Sequence, residues 1–496
     1  MGVMRFFIHP RPEQSGFPVL TQAYLSGMDG RIFPTRVELD GSVLTCRRPS
    51  SESAKLNIPW TVPGIGQPVL TTTSLRERDE PYLLPVELAR GKLSEVRESR
   101  AHWELSGMMI PELFCNIQKE AFQLFAKAGT STSDPERACE LACSAIEKAC
   151  QAAAILMDSY TIQRLTTIRR SPHQALGLIG SVMNSKLLTA SELETFRNAL
   201  NTASIPMSWP EIEPREGTYT WDEVDDLVSY CTDQRFVLRG GPLIDLSEGG
   251  LPEWLAPWKN DFLNLPIFVC DYVETAISRY QGLIRIWEVS AYGNTGGAFG
   301  LAEDHCLALA ARTLEAAQRT DSDAQFFIRI ESPWGEYQRH GRHRLSPFQF
   351  VDAIVRSNLG LAGVTLEINT GYGPEASYAR DMLSVSRLID LWSQLQIQIH
   401  VNIACPSSAA PDPQADQKFS TQDGVWRDHW NEETQAEWVE HLVPLLLAKS
   451  SVTGVFLSQF ADRMPHRFPH AGVIDPHGRI KKMIDPLHDQ RNQDLL

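Results

Sequence analysis

Seven polar side chains fall at or near the ends of apolar runs in the C-terminal two-thirds of this chain: Asp245, Glu331, Glu367, His400, Asn402, Gln459 and Asp462. Glu331 closes the run QFFIRI, and Glu367 lies in LAGVTLEIN, so two carboxyl groups stand on consecutive strand-like segments. Tyr292 follows IRIWEVSA, while Trp334 and Tyr372 lie in the segments just beyond Glu331 and Glu367. Paired carboxyls can divide labour, because a buried one keeps its proton and acts as an acid while its neighbour stays ionised and acts as base or nucleophile. A tyrosine hydroxyl can serve as acid or nucleophile, and aromatic rings offer flat apolar faces to a ligand. The same polar groups can equally satisfy one another with no ligand present.

The elements that must position these residues alternate between strand and helix. ALGLIGSVM (175–183) reads as a strand and SELETFRNALNTA as a helix. A short apolar segment ending at Pro206-Met207-Ser208-Trp209 is followed by a loop, because Pro210, Pro214 and Gly217 forbid a long helix. Trp221 to Cys231 has helical periodicity, and Phe236-Val237-Leu238 is a buried-strand run closed by Arg239-Gly240-Gly241-Pro242. LIRIWEV, QFFIRIE, LAGVTLEIN, IQIHVNI and VTGVFLSQF continue the strands, with helical patterns after each of the first four. Eight strand–helix repeats predict an α/β fold, a (β/α)8 TIM barrel over 171–490, whose C-terminal strand ends carry the chemistry. Residues 1–105 read as a β-rich, sandwich-like domain of short segments broken by Gly, Pro, Asp and Ser. The pattern turns helical from Val86, and 106–170 is expected to be a helical hairpin linker, with Asp134 capping a helix that starts at Pro135.

Composition narrows the function classes. A chain of 496 residues with 43% hydrophobic and 22% charged residues is that of a multi-domain globular protein. Its net charge of −15 argues against nucleic acid and against anionic membranes as partners. Neither a signal-peptide-like start nor a run near 18 apolar residues occurs, so the expected compartment is the cytoplasm. Nine cysteines are not spaced as a disulfide framework. Cys139, Cys143 and Cys150 lie at helical spacing and read as buried thiols. Composition says nothing of the oligomeric state.

The stretch Ile205–Leu255 carries a resemblance. Met207, Trp209, Ile212, Glu213, Pro214, Gly217, Tyr219, Trp221, Arg239, Gly240, Leu243, Pro252 and Trp254 match the motifs around strands two and three of the xylanase-type barrel. The chain therefore resembles glycoside hydrolase family 10, and IRIWEV, LAGVTLE, VTGVFLSQFAD and GVIDPHGRIKKMI resemble the family's later segments. The resemblance implies hydrolysis of O-glycosidic bonds, a carbohydrate partner and no cofactor. It also implies a glutamate at the end of strand four and another on strand seven. Here those positions align with Tyr292 and Ile403, and Glu288 lies deeper on the same strand face as Tyr292. The family's sugar-binding positions on strands two, three, six and eight align with Ile205, Ser208, Gly241, Asp245, Leu246, Glu367 and Ser458.

Ordinary endo-xylanase activity is thus not expected. The alternatives are a glycosidase with relocated groups, a non-catalytic carbohydrate-binding or interaction protein on the same scaffold, and a barrel enzyme for another small molecule. The first alternative assigns catalysis to Glu331, Glu367 and Tyr292. It assigns ligand binding to Asp245, Trp334, Tyr372, His400, Asn402, Gln459 and Asp462. It requires the Glu331 and Glu367 carboxylates to lie within about 10 Å of each other. His340 with His343, and His466 with His470, invite a metal reading, but a solvated basic loop and a cleft-closing loop account for them, and no metal is assigned. Gly293–Gly300 lacks the lysine or serine spacing of a phosphate loop and reads as a flexible lid.

Overall fold

The computed structural model describes residues 2–10, 22–131, 133–170, 177–183, 186, 189–373 and 377–494. Eight parallel strands close into a barrel: strand one (Leu178–Val182), two (Thr202–Ile205), three (Val237–Gly240), four (Ile286–Ala291), five (Gln325–Ile330), six (Gly363–Asn369), seven (Gln398–Ala404) and eight (Val452–Leu457). Each pairs with the next, and strand eight returns to strand one through Gly454 to Leu457 against Leu178 to Ser181. The expected fold is present, and each strand lies within a few residues of its sequence position. The expected barrel start at Ser171 lies outside the described residues.

Strands so buried on both faces read as apolar runs with few charges, as parallel strands flanked by helices must. Their outward faces, such as Ile399, Val401 and Ile403 on strand seven, share one apolar cluster with the surrounding helices. The inward faces are built differently. Phe327, His400 and Phe456 stack across the barrel floor, with ring centroids 3.8 Å apart for Phe327–His400 and 5.0 Å for His400–Phe456. Gly180 and Gly454 make room, since a Cβ at either would come within 2.8 Å and 2.6 Å of the Phe456 ring.

The family-like stretch after strand two is architecture. Glu213 accepts from Trp209 Nε1 (2.7 Å) and from the Gly217 amide (2.8 Å), and its carbonyl accepts from Trp254 Nε1 (2.9 Å). Glu213 thus braces the loop after strand two with its carboxylate and ties it, through its backbone carbonyl, to the 3-10 helix Glu253–Trp258 after strand three.

Ahead of the barrel, two four-stranded sheets made from strands between Gly2 and Leu83 share one apolar cluster. All their pairings are antiparallel except Phe6 with Tyr82 and Phe7 with Leu83. The helical segment is larger than a hairpin after residue 106. It comprises helices Leu84–Leu105, Glu112–Thr130 and Pro135–Arg169. Pro85 sits in the first turn of the first helix, where a missing N–H costs nothing. Asp134 caps the third by accepting from the Arg137 amide (3.1 Å), as expected from Asp134-Pro135. Among the described residues, no helix is long and apolar enough to cross a membrane.

Both N-terminal parts hold the barrel. Buried Lys92 on the first helix pairs with Asp381 (2.5 Å), the cap of the barrel helix Met382–Trp392. The sheets reach the loops at the C-terminal end of the barrel. Thr35 N donates to Arg339 O, Gln67 N to Val425 O and Val69 N to Ala379 O. Arg380 bridges Tyr24 (2.9 Å) and Glu336 (2.7 Å) in the same seam.

Gly91 marks where the first helix meets the sheets, since a Cβ there would run into the Thr71 carbonyl oxygen. Alanine normally improves a helix interior by roughly 0.5–1 kcal/mol over glycine. Here overpacking reverses the sign, and Gly91→Ala is expected to lower unfolding free energy by about 1–3 kcal/mol in denaturant titration.

Candidate functional site

Inside the barrel, above the aromatic floor, one carboxylate joins two arginines. Glu288 of strand four is ion-paired with Arg239 of strand three and with Arg329 of strand five. Arg239 also donates to Asn402 Oδ1 (3.1 Å) and Thr365 Oγ1 (3.0 Å), so strands three, four, five, six and seven meet in this layer. Burial alone would favour the neutral acid, but the two guanidiniums prevail and pull Glu288 down to about 2.

The next layer outward faces the mouth. The Tyr292 hydroxyl donates to Glu367 Oε1 (2.7 Å), and Arg329 donates to the same hydroxyl (3.3 Å). Asn369 Nδ2 donates to Glu367 Oε2 (3.2 Å). Arg467, from the loop after strand eight, contacts the Tyr292 hydroxyl, Glu367 Oε1 (3.4 Å) and Glu331 Oε1 (2.6 Å). Thr295 supports Glu331 from the other side (3.1 Å). One guanidinium touching both carboxylates keeps them within about 9 Å of each other, below the roughly 9.5 Å upper end used by glycosidase pairs. The separation required of Glu331 and Glu367 is met.

Electrostatics distinguish the groups. Glu367 is buried, and burial pushes it up to about 7 against the pull of Arg329, with the Glu288 charge adding to the rise. Glu331 instead lies against Arg467 with 18% of its side chain exposed, compared with 2% for Glu367. Burial brings the Arg467 guanidinium down to about 10, opposed by Asp245, so it stays charged at neutral pH. Arg329 is raised, because Glu288 and Glu367 outweigh the cost of its burial. One carboxyl that keeps its proton near neutrality thus sits beside a second that is ion-paired and more open.

The other expected site residues divide. Asp245 is half-buried beside the mouth, where its charge acts on Arg467 and Glu367, and Asn402 faces inward to Arg239. His400 is not at the mouth. It is sealed in the aromatic floor, where burial and Arg239 hold its imidazole neutral, well below the ordinary histidine range. Tyr372 is also displaced from the expected stacking role: its ring packs against Phe468 (5.1 Å) and its hydroxyl donates to Pro469 O (3.0 Å). Gln459 and Asp462 serve each other (2.6 Å), and buried Asp462 also takes Lys481 Nζ (2.5 Å) and the Gly472 amide (2.8 Å). They shape the loop after strand eight. The Trp334 ring is half-buried under Arg380, 5.1 Å from its centroid. Ile403, aligned above with the family's strand-seven glutamate, points into the helix-facing cluster; the barrel-facing positions of that strand are His400, Asn402 and Ala404.

The histidine and glycine runs resolve into contacts. Asp412 accepts from His466 Nε2 (3.0 Å) and the His470 amide (3.0 Å), clamping the loop that bears Arg467. His343 lies edge-on to Tyr337 (5.0 Å). Among the described residues, no group of three or more His, Cys, Asp or Glu side chains is placed to hold a metal ion. The glycine-rich loop after Tyr292 is pinned rather than loose: Gly296 N donates to Tyr292 O (2.7 Å) and Ala298 N to Leu246 O (2.9 Å).

Arg239, Arg329, Arg467 and Asn369 are not among the site residues expected from the sequence. Arg329 had a signal, a charged residue two before Glu331 in an apolar run and therefore on the same strand face. Arg467 had none, because its place depends on a folded loop.

The sequence model described as Glycosyl hydrolase family 10 matches residues 169–291. An endo-1,4-beta-xylanase of Agaricus bisporus is 28% identical over 131 residues, 26% of this chain and 39% of that protein. Endo-1,4-beta-xylanase 3 of Hypocrea jecorina is 34% identical over 84 residues, 17% of this chain and 23% of that protein. The chain thus spans well under half the length of these relatives. The crystal structure of native xylanase 10B from Thermotoga maritima superimposes with a TM-score of 0.51 at 15% identity, covering 64% of this chain and 96% of that one. That likeness is one of fold.

Glu288 generates a prediction. A depressed folded value contributes stability above the ordinary value of 4.5 that is lost as pH falls from 4.5 towards about 2. Glu288→Gln leaves two buried guanidiniums without their anion and is expected to cost about 3–5 kcal/mol at neutral pH. Thermal melts of the variant should also lose part of the wild-type decline between pH 4.5 and 2.

Proposed function

We propose that this chain, related through its barrel to the family-10 xylanases, is a carbohydrate-active protein that hydrolyses O-glycosidic bonds with relocated groups. The observation that carries the reading is the meeting of Glu331, Glu367 and Tyr292 on the single guanidinium of Arg467 at the barrel mouth. In the proposed mechanism Glu367 gives its proton to the departing glycosidic oxygen. Tyr292 and Asn369 hold that carboxyl in place. Glu331 is the ionised partner that attacks the anomeric carbon or activates water. The relatives are named endo-1,4-beta-xylanases, which supports a sugar as ligand. Asp245 adds to the polar lining of the mouth, while Asn402 supports it from the layer below through Arg239.

A second reading, a non-catalytic carbohydrate binder, is favoured by the arginine pairing of every carboxylate in the stack, Glu288, Glu331 and Glu367. Turnover of aryl glycosides and polysaccharides separates the two. Glu331→Gln and Glu367→Gln should each lower kcat by about 10²–10⁴-fold, the range of a lost acid or base. Turnover untouched by either change removes the assigned pair, and sugar binding without turnover in the wild type supports the second reading.

The pH profile tests the roles. A carboxyl raised to about 7 that must be protonated to act predicts kcat that falls as pH rises through about 7. Tyr292→Phe should move that descending limb, and a flat profile from pH 5 to about 8 would remove Glu367 as the proton donor.

A further inference from the structure

We infer that the barrel mouth takes a sugar bearing a carboxylate, and that Arg467 is the side chain that binds this group. The inference rests on the carbohydrate reading above and adds the substrate class. Its first support is the order of the layers. Arg467 has 29% of its side chain exposed and Glu331 18%, whereas Glu367 has 2% and Tyr292 is buried beneath the guanidinium. A ligand that reaches Glu367 therefore displaces Arg467 from at least one of its three acceptors.

The chemistry of that displacement differs between ligand classes. A neutral hydroxyl offers the guanidinium a weaker acceptor than the carboxylate it gives up. A ligand carboxylate replaces the lost anion in kind and matches the planar fork in two-point contact. The alternative surroundings are aromatic: Arg467 lies 4.4 Å from the Tyr292 ring centroid, and 5.2 Å from each of Phe419 and Phe468. These faces accommodate a cation while it moves but supply no full charge.

The second support is the contrast between the two mouth arginines. Arg329 reaches the same Tyr292 hydroxyl and Glu367, but Glu288 locks its other nitrogens below. It is a fixed cation under the site. Arg467 projects from a loop whose backbone is clamped by Asp412 through His466 and His470, so its side chain can move while its root stays in place. A fixed cation with a movable one above it is an arrangement for an anion. Transfer of Arg467 to the ligand also releases Glu331, the group assigned as base or nucleophile. Acid sugars should therefore be preferred in turnover as well as binding.

Calorimetric titration of the full chain with D-glucuronate and D-galacturonate, against D-glucose, D-xylose and xylobiose, tests this. With a net charge of −15 the protein repels anions in general, so a preference for the acid reports the mouth. The expected result is uronate binding about tenfold or more tighter than the matched neutral sugar, weakening as salt is raised. Arg467→Gln should abolish the preference and Arg467→Lys should retain part of it. Equal or tighter binding of neutral sugars to the wild type overturns the inference and leaves the carbohydrate reading standing. A preference that survives Arg467→Gln also overturns it. Binding of no sugar of either class removes both readings. Should Arg467→Gln fail to fold, the wild-type comparison and its salt dependence decide alone.

Discussion

The Glu288 carboxylate is the anion on which the interior of this barrel depends. Most barrels fill their axis with branched apolar side chains. Here strands three and five each send a guanidinium inward, and neither is tolerable in a dry core without a partner. Glu288 answers both, and Asn402 and Thr365 also accept from Arg239, whose Nε alone is left without a hydrogen bond. A buried charge network has strict geometry, so strand register is held by electrostatics as well as by packing. The aromatic floor beneath and the Tyr292–Glu367 layer above are both set by where these two arginines end.

That stack makes one carboxyl unlike the others. Arg329 is shared between Glu288 and Glu367, and Glu288 has the better claim: it is closely paired with Arg239 and Arg329, whereas Glu367 lies 3.5 Å from Arg329 and 3.4 Å from Arg467. Glu367 is left with less compensation than its burial demands, and it is the group raised towards neutrality. The asymmetry needs no special residue at Glu367 itself. It arises from depth and from competition for one cation, which is how two acids on one scaffold take different protonation states.

The strands, most of the barrel helices and the cap at Asp134-Pro135 were legible from the sequence, because apolar runs and punctuation by Pro and Gly are local signals. The proximity of Glu331 and Glu367 was legible too, since neighbouring strands of a barrel bring their ends together. What failed were assignments that needed side-chain direction or loop path. His400 was expected near a strand end and Tyr372 on the loop beyond Glu367, yet one turns into the floor and the other packs against Phe468. Ile403 fell on the wrong face, because an error of one residue in aligning a strand inverts every side chain. Arg467 was invisible, since a contact across 136 residues with Glu331 leaves no local trace.

The seam between the N-terminal sheets and the barrel loops has a thermodynamic consequence. Arg380 belongs to the barrel, yet its partners are a barrel glutamate and Tyr24 of the first sheets, while buried Lys92 answers a carboxylate that caps a barrel helix. Opening the seam would part Lys92 from Asp381 and Arg380 from Tyr24, and the loss of such buried polar contacts opposes it. The two lobes therefore stabilise each other through this seam, and the rim of the barrel is completed by the chain that precedes it.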